Sequence, residues 1–227
     1  MTPVAVDTRS RRTPPGGEVE ISWSDLYAHR RAAAARFGKS VFRLPLVKRV
    51  RDVLLSNVRD GDQVLEDGAG QRLMRKVLVA RYPRTVYESL DIDPRGEHDY
   101  RRLDEIREPY DVVMAFEVVE HLELQAIPRW LGQLRSILRP GGKLLLSTPN
   151  TYYPPAYLRD ATHRTALCYD ELAGMAEAAG LHVERVVRVY HDPIHRMLLR
   201  RYLFGWLFRL IGIDFARQIV VVASAQG

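Results

Sequence analysis

Two groups of residues in this chain have types and spacing suited to chemistry. The first begins in the stretch VLEDGAGQR, where an apolar run ends at Glu66 and Gly68 and Gly70 occupy the turn into the next helical segment. Glycine at such a turn allows tight backbone geometry and lets a ligand approach the main chain with no Cβ in the way. Asp91, in LDIDP, follows Gly68 by 23 residues. That is the usual interval for a carboxylate that accepts hydrogen bonds from ribose hydroxyls at the end of a second strand, with Asp93 the nearby competitor. The second group is Asp160 and His163, three residues apart, beside Tyr152, Tyr153 and Tyr157. If this stretch turns helically, Asp160 and His163 share a face and Asp160 orients the imidazole as a general base. A metal site from these two is underdetermined, since two ligands do not define a coordination sphere, and none is assigned.

The elements that must position these residues follow from hydrophobic periodicity. Apolar residues recur at helical spacing over Trp23–Phe37 and Pro45–Val58, with Ser24 and Asp25 near the first helix start. Apolar runs at 63–66, 85–91, near Tyr100, and at 111–116, 143–147, 182–190 and 218–223 then alternate with helical stretches at 72–80, 126–138 and 169–179. Strands alternating with helices imply right-handed crossovers and an α/β fold: a doubly wound, mostly parallel seven-stranded sheet covered on both faces. Residues 1–20, rich in proline and glycine, are expected to be a flexible tail. Residues 21–227 are expected to form one domain, with a cofactor-binding half at 59–150 and an acceptor-side half at 151–227 that carries a helical insertion at 193–213.

Composition sets outer bounds. A chain of 227 residues with 46% hydrophobic content can bury a continuous core. No stretch reaches the roughly 20 apolar residues that span a bilayer, and the N-terminus has no leader pattern, so the expected location is the cytoplasm. The single cysteine, Cys168, cannot form an intrachain disulfide and is expected to be an inert packed thiol. The net charge of +6 is carried mostly by arginines dispersed among acids, which does not favour a polyanionic partner. A dinucleotide fingerprint would need a third glycine where Leu73 stands, which argues against a nicotinamide cofactor.

VLEDGAG, SLDIDP, PYDVVMAFEVVEHL and LRSILRPGGKLLLSTPN, in this order and spacing, resemble the successive motifs of class I S-adenosylmethionine-dependent methyltransferases, closest to the bacterial small-molecule branch that includes quinone-type and sugar-type O-methyltransferases. Gln71 departs from the family pattern, which often has a further glycine there. The resemblance implies S-adenosylmethionine as cofactor, with Glu66 on its amino-acid side, Gly68 and Gly70 beneath it, and Asp91 on the ribose diol. It further implies Ile92 against the adenine face, Leu103 and Asp104 near the adenine amino group, and Phe116 and Glu117 under the methionine moiety. Asp104 has a plainer alternative as a helix cap. Glu120 and His121 are family-typical and read more readily as loop-orienting than catalytic.

The implied reaction is methyl transfer to a hydroxyl of a small-molecule or glycan acceptor, which 148–172 would contact. The alternatives are N- or C-methylation, including of RNA, and a non-catalytic S-adenosylmethionine-binding protein. YYPPAY resembles the signature of nucleobase amino-methyltransferases but stands after the wrong strand, so DNA is not expected and RNA is not favoured. The insertion at 193–213 is read as a lid or homodimer contact in preference to core packing or membrane contact, because its arginines do not segregate to one face.

Overall fold

The computed structural model describes residues 23–226. The expected N-terminal tail lies outside the described residues. In chain order the elements are α1 (Trp23–Phe37), β1 (Leu46–Val47), α2 (Val50–Leu55), β2 (Gln63–Asp67), α3 (Leu73–Arg81), β3 (Val86–Leu90) and β4 (Tyr110–Phe116). They continue with α4 (Ile127–Ser136), β5 (Leu138–Pro149), α5 (Pro154–Leu158), α6 (Tyr169–Ala178), β6 (Leu181–Val189), α7 (Ile194–Leu198), α8 (Gly205–Ile211) and β7 (Gln218–Ala225). The strands form one sheet in the order β1-β6-β7-β5-β4-β2-β3. β7 runs antiparallel to both neighbours and the other pairings are parallel.

Each central strand is apolar on both sides because both faces are covered. Leu65, Val113, Leu144, Leu146 and Val221 point to one face, where they join Ala33 of α1, Leu131 of α4 and Leu172 of α6. Their neighbours Val64, Val112, Met114, Leu145, Val220 and Val222 point to the other, against Val53 and Leu54 of α2 and Leu78 of α3. A fully buried leucine or valine contributes roughly 1.5–3 kcal/mol, so a one-residue slip in any of these strands would exchange the two cores. α1 is clipped onto α6 by Arg30, which donates to Asp170 at 2.9 Å and Glu171 at 3.3 Å.

Three local expectations differ from the structure. Pro45–Val58 is not a single helix: Leu46 and Val47 pair with Arg188 and Val189 of β6, and only Val50–Leu55 is α-helical. The run near Tyr100 makes only an isolated bridge to Leu90, because Arg101 turns away to hold the preceding loop. β1 therefore supplies the seventh strand. The 193–213 stretch is broken into α7, a π-turn over Leu199–Leu203 and α8, which ends at Gly212 in the left-handed region with φ +70°. Its apolar side chains face outward, with Tyr202, Trp206 and Leu210 more than 60% exposed. Behind it, the buried pair Arg188–Asp214 at 2.8 Å, with Asn150 donating to Asp214 at 2.9 Å, fixes the return of the chain into β7. No helix among the described residues is long and apolar enough to cross a membrane.

Candidate active site

The carboxyl ends of β2, β3, β4 and β5 meet at one edge of the sheet, where open α/β folds bind ligands. The amides of Gly68 and Ala69 both donate to the Leu90 carbonyl, at 2.9 and 3.1 Å, which closes the glycine turn onto β3. Gly68 has φ +75°, and a Cβ there would stand 2.4 Å from Cγ2 of Val118, so backbone conformation and packing both require glycine. At Gly70, φ +45°, a Cβ would meet no protein atom within 4 Å: this part of the turn borders open space. The Gly70 amide donates to Asp91 Oδ2 at 2.8 Å, and the Asp93 amide to Asp91 Oδ1 at 2.9 Å. A carboxylate has about four acceptor positions, so Asp91 is held rigidly and keeps capacity for a diol.

Glu66 is buried and accepts from the Tyr87 hydroxyl. Burial pushes its carboxyl up to about 7, against the Tyr87 hydrogen bond, and the nearby Asp91 charge adds to the rise. Asp67 is likewise raised by burial, to about 6, and accepts from Trp130 Nε1 at 2.8 Å, which fastens α4 to the sheet. Ile92 is 85% exposed, an apolar side chain standing free at the tip of β3. Leu103 packs against the core, and Phe116 against the core of the opposite face. Asp104 is exposed in a 3-10 turn and forks onto Arg102, with Nε donating at 2.9 Å. Two residues not singled out in the sequence shape this rim. Arg101 donates to the carbonyls of Asp91 at 3.2 Å and Asp93 at 2.5 Å, and Asp99 accepts from the amide and hydroxyl of Ser89, each at 2.8 Å. Only their position nine and eleven residues past β3 marks them in the sequence, since the loop that brings them back has no periodicity.

Across the edge, Glu117 follows β4 with φ +57°, an uncommon conformation for a side chain of its size. It is over-determined by Ser147: the Glu117 amide donates to the Ser147 carbonyl at 3.2 Å, and the Ser147 hydroxyl donates to Glu117 Oε1 at 2.9 Å. Burial raises its carboxyl above the ordinary value. Glu117 forms one wall of a cavity of about 330 Å³ whose other walls include Tyr153, Ala156, Arg159, His191 and Arg217. Tyr153 was the one aromatic of the expected trio to reach this cavity. Tyr152 instead packs near Tyr169, and Tyr157 near His163.

Asp160 and His163 are brought close, but not as the expected pair. The 159–162 stretch is not helical. The Asp160 carboxylate accepts from the amide and hydroxyl of Thr162, at 2.9 and 2.7 Å, and holds its proton well off because of those bonds. His163 Nδ1 instead donates to the Tyr157 carbonyl at 2.7 Å. Asp160 reaches a different imidazole, through Thr162, whose Oγ1 lies 3.0 Å from Nδ1 of His121. The His121 and His163 rings stand edge to face, 4.9 Å apart. Beneath them Glu120 is fully buried, and neither carboxylate oxygen meets a hydrogen-bond donor, although the Thr148 hydroxyl and its own amide lie near. Burial, and then the Glu117 charge, push Glu120 up to about 8.

This arrangement of glycine turn, strand-end carboxylates and adjoining cavity matches known proteins. The methyltransferase-domain family aligns with residues 27–186. The chain belongs to that family. A probable S-adenosylmethionine-dependent methyltransferase of Mycolicibacterium smegmatis is 35% identical over 58% of this chain. The chain covers 56% of that relative's length. Among solved structures, a SAM-dependent methyltransferase of Archaeoglobus fulgidus superposes with a TM-score of 0.60 over 89% of this chain and 100% of its own, at 14% identity. A cyclopropane synthase of Mycobacterium tuberculosis superposes at 0.54 over 92% of this chain and 100% of its own, at 12% identity. These likenesses establish the fold as that of the class I methyltransferases, whose cofactor is S-adenosylmethionine. The methyltransferase site fits that group: open space borders Gly70, an exposed apolar residue stands at Ile92, and the acidic Glu66 and Asp91 suit a cation bearing a diol.

Proposed function

We propose that this methyltransferase transfers a methyl group from S-adenosylmethionine to a hydroxyl of a small-molecule or glycan acceptor. The observation that carries the reading is the cavity beside Glu117, which is of small-molecule size and opens at the acceptor side of the sheet edge. Two arginines, a histidine and a tyrosine in its walls suit an oxygen-rich acceptor, one with carboxylate or hydroxyl groups, better than an apolar one.

Glu66 faces the amino-acid end of the cofactor, Gly68 and Gly70 let it approach the main chain, Asp91 takes the ribose hydroxyls, and Ile92 covers the adenine. Leu103 and Asp104 edge the adenine pocket, and Phe116 and Glu117 lie under the methionine portion. The sulfonium supplies an activated methyl whose leaving group is a neutral thioether. The protein's tasks are therefore to align the acceptor oxygen with the methyl carbon, which is worth roughly 7–11 kcal/mol, and to dispose of the hydroxyl proton. The second task falls to Glu120, His121 and His163, a cluster that lies beside the cavity-lining Glu117.

Calorimetric titration with S-adenosylhomocysteine, followed by a radiolabel screen of phenolic, hydroxy-acid and glycan acceptors, tests the reading. Label recovered as a methyl ether supports it. Label recovered on nitrogen or carbon, or on RNA with a steep salt dependence, overturns the hydroxyl assignment.

A further inference from the structure

We propose that Glu120, His121 and His163 bind one divalent transition-metal ion, which holds the acceptor hydroxyl beside the cofactor and makes it more acidic. The role in transfer rests on the O-methylation reading above. The site itself rests on four features of the structure.

One ligand atom from each of the three residues lies within 4.8 Å of the other two. Ligands about 2.1 Å from a shared ion sit roughly 3–3.5 Å apart, so binding would draw these atoms together by up to about an ångström or slightly more. Glu120 is fully buried with both carboxylate oxygens lacking a hydrogen bond, an expensive arrangement that a cation would relieve. Both imidazoles are held through Nδ1: His163 by the Tyr157 carbonyl, and His121 by Thr162, whose hydroxyl donates onward to Asp160. This leaves Nε2 of each as the free lone pair, the outer-sphere pattern that orients metal-binding histidines. Finally, the three residues are tied together by the backbone, since the Glu120 carbonyl accepts from the amides of Arg164 at 2.7 Å and Thr165 at 3.1 Å.

The charged groups around the cluster are consistent with a cation. Glu117 lies near Glu120 and adds a second carboxylate, while the guanidinium that acts on Glu117 is that of Arg159, which lines the same cavity. Two imidazoles and one carboxylate suit manganese, iron, cobalt, nickel or zinc, whereas magnesium and calcium favour all-oxygen sets. Three protein ligands leave coordination positions for acceptor oxygens. A hydroxyl bound there loses its proton to solvent more readily. Its oxygen then forms the new C–O bond as the C–S bond breaks and the electron pair passes to sulfur.

The test is a titration of the full-length protein with cobalt(II), read by its visible absorption bands and by equilibrium dialysis. Wild type, Glu120→Gln and His163→Ala are compared, each also titrated with S-adenosylhomocysteine. The expected result is one cobalt per chain in wild type and at least tenfold weaker uptake in both variants, with S-adenosylhomocysteine still bound by all three. Wild type that binds S-adenosylhomocysteine but takes up no cobalt overturns the metal site and leaves the methyltransferase reading standing. Equal cobalt uptake in wild type and both variants also overturns it. Cobalt uptake lost in the variants, with S-adenosylhomocysteine bound by none, supports the metal site and defeats the reading of the cofactor site.

Discussion

The β2–β3 edge and the β4–β5 edge of the sheet treat their carboxylates differently. At the first, Glu66 accepts from Tyr87, Asp67 from Trp130, Asp91 from two backbone amides and Asp99 from Ser89. At the second, the half-buried Glu117 is met by Ser147, but the fully buried Glu120 has no hydrogen bond to either carboxylate oxygen, although the Thr148 hydroxyl lies near. A carboxylate fixed by protein donors gives a site whose shape is set in advance, which suits recognition of a cofactor common to a family. A buried carboxylate without a donor is stabilised only by something brought to it, which suits the variable, chemical side of the reaction.

The sharpest way to break this comparison is to alter the second edge alone. Glu120→Gln and His163→Ala are each expected to lower methyl transfer by roughly a hundredfold or more while S-adenosylhomocysteine affinity stays at the wild-type value. A parallel fall in that affinity, measured by calorimetry, would show that the two edges are not separate. Asp91→Ala probes the first edge. Losing charge-assisted hydrogen bonds of about 1.5–3 kcal/mol should weaken S-adenosylhomocysteine binding tenfold or more, with cobalt uptake unchanged. Thr162→Val keeps the shape of the side chain but cuts the relay from Asp160 to His121. Cobalt affinity is expected to fall by up to roughly tenfold, and an unaltered titration curve would remove Asp160 from any positioning role.

The smallest effect concerns stability. Glu66 has its folded-state acidity weakened from an ordinary value of 4.5 to about 7, chiefly by burial. Its contribution to stability is therefore full below about pH 4.5 and is lost as pH rises through about 7, where a buried carboxylate must ionise. Glu66→Gln cannot ionise. Its melting temperature relative to wild type should rise between pH 5 and 7 by a few degrees and level off above that, as measured by scanning calorimetry. Parallel melting curves across that range would place the Glu66 carboxyl in a more hydrated setting than the structure gives it.

The sequence by itself determined most of the alternation of strands and helices from residue 63 onward, the glycine turn and the position of Asp91, because each is written in local terms: period, turn chemistry and a fixed interval along the chain. It also determined which residue types stand at the acceptor side. Tertiary structure decided the rest. Leu46–Val47 becomes a strand only because β6 lies open beside it, and two residues carry no period of their own. Local spacing paired Asp160 with His163, yet the fold gives Asp160 to Thr162 and His121, and His163 to the Tyr157 carbonyl. The cluster of Glu120, His121 and His163 was the least legible feature, since His163 follows His121 by 42 residues along the chain and the two meet only where the loop after α5 docks on the turn after β4. Spacing along the sequence reports neighbours within one element. Which side chains meet across two loops is set by where the sheet ends those loops, and by which buried groups are left without a partner once the core has packed.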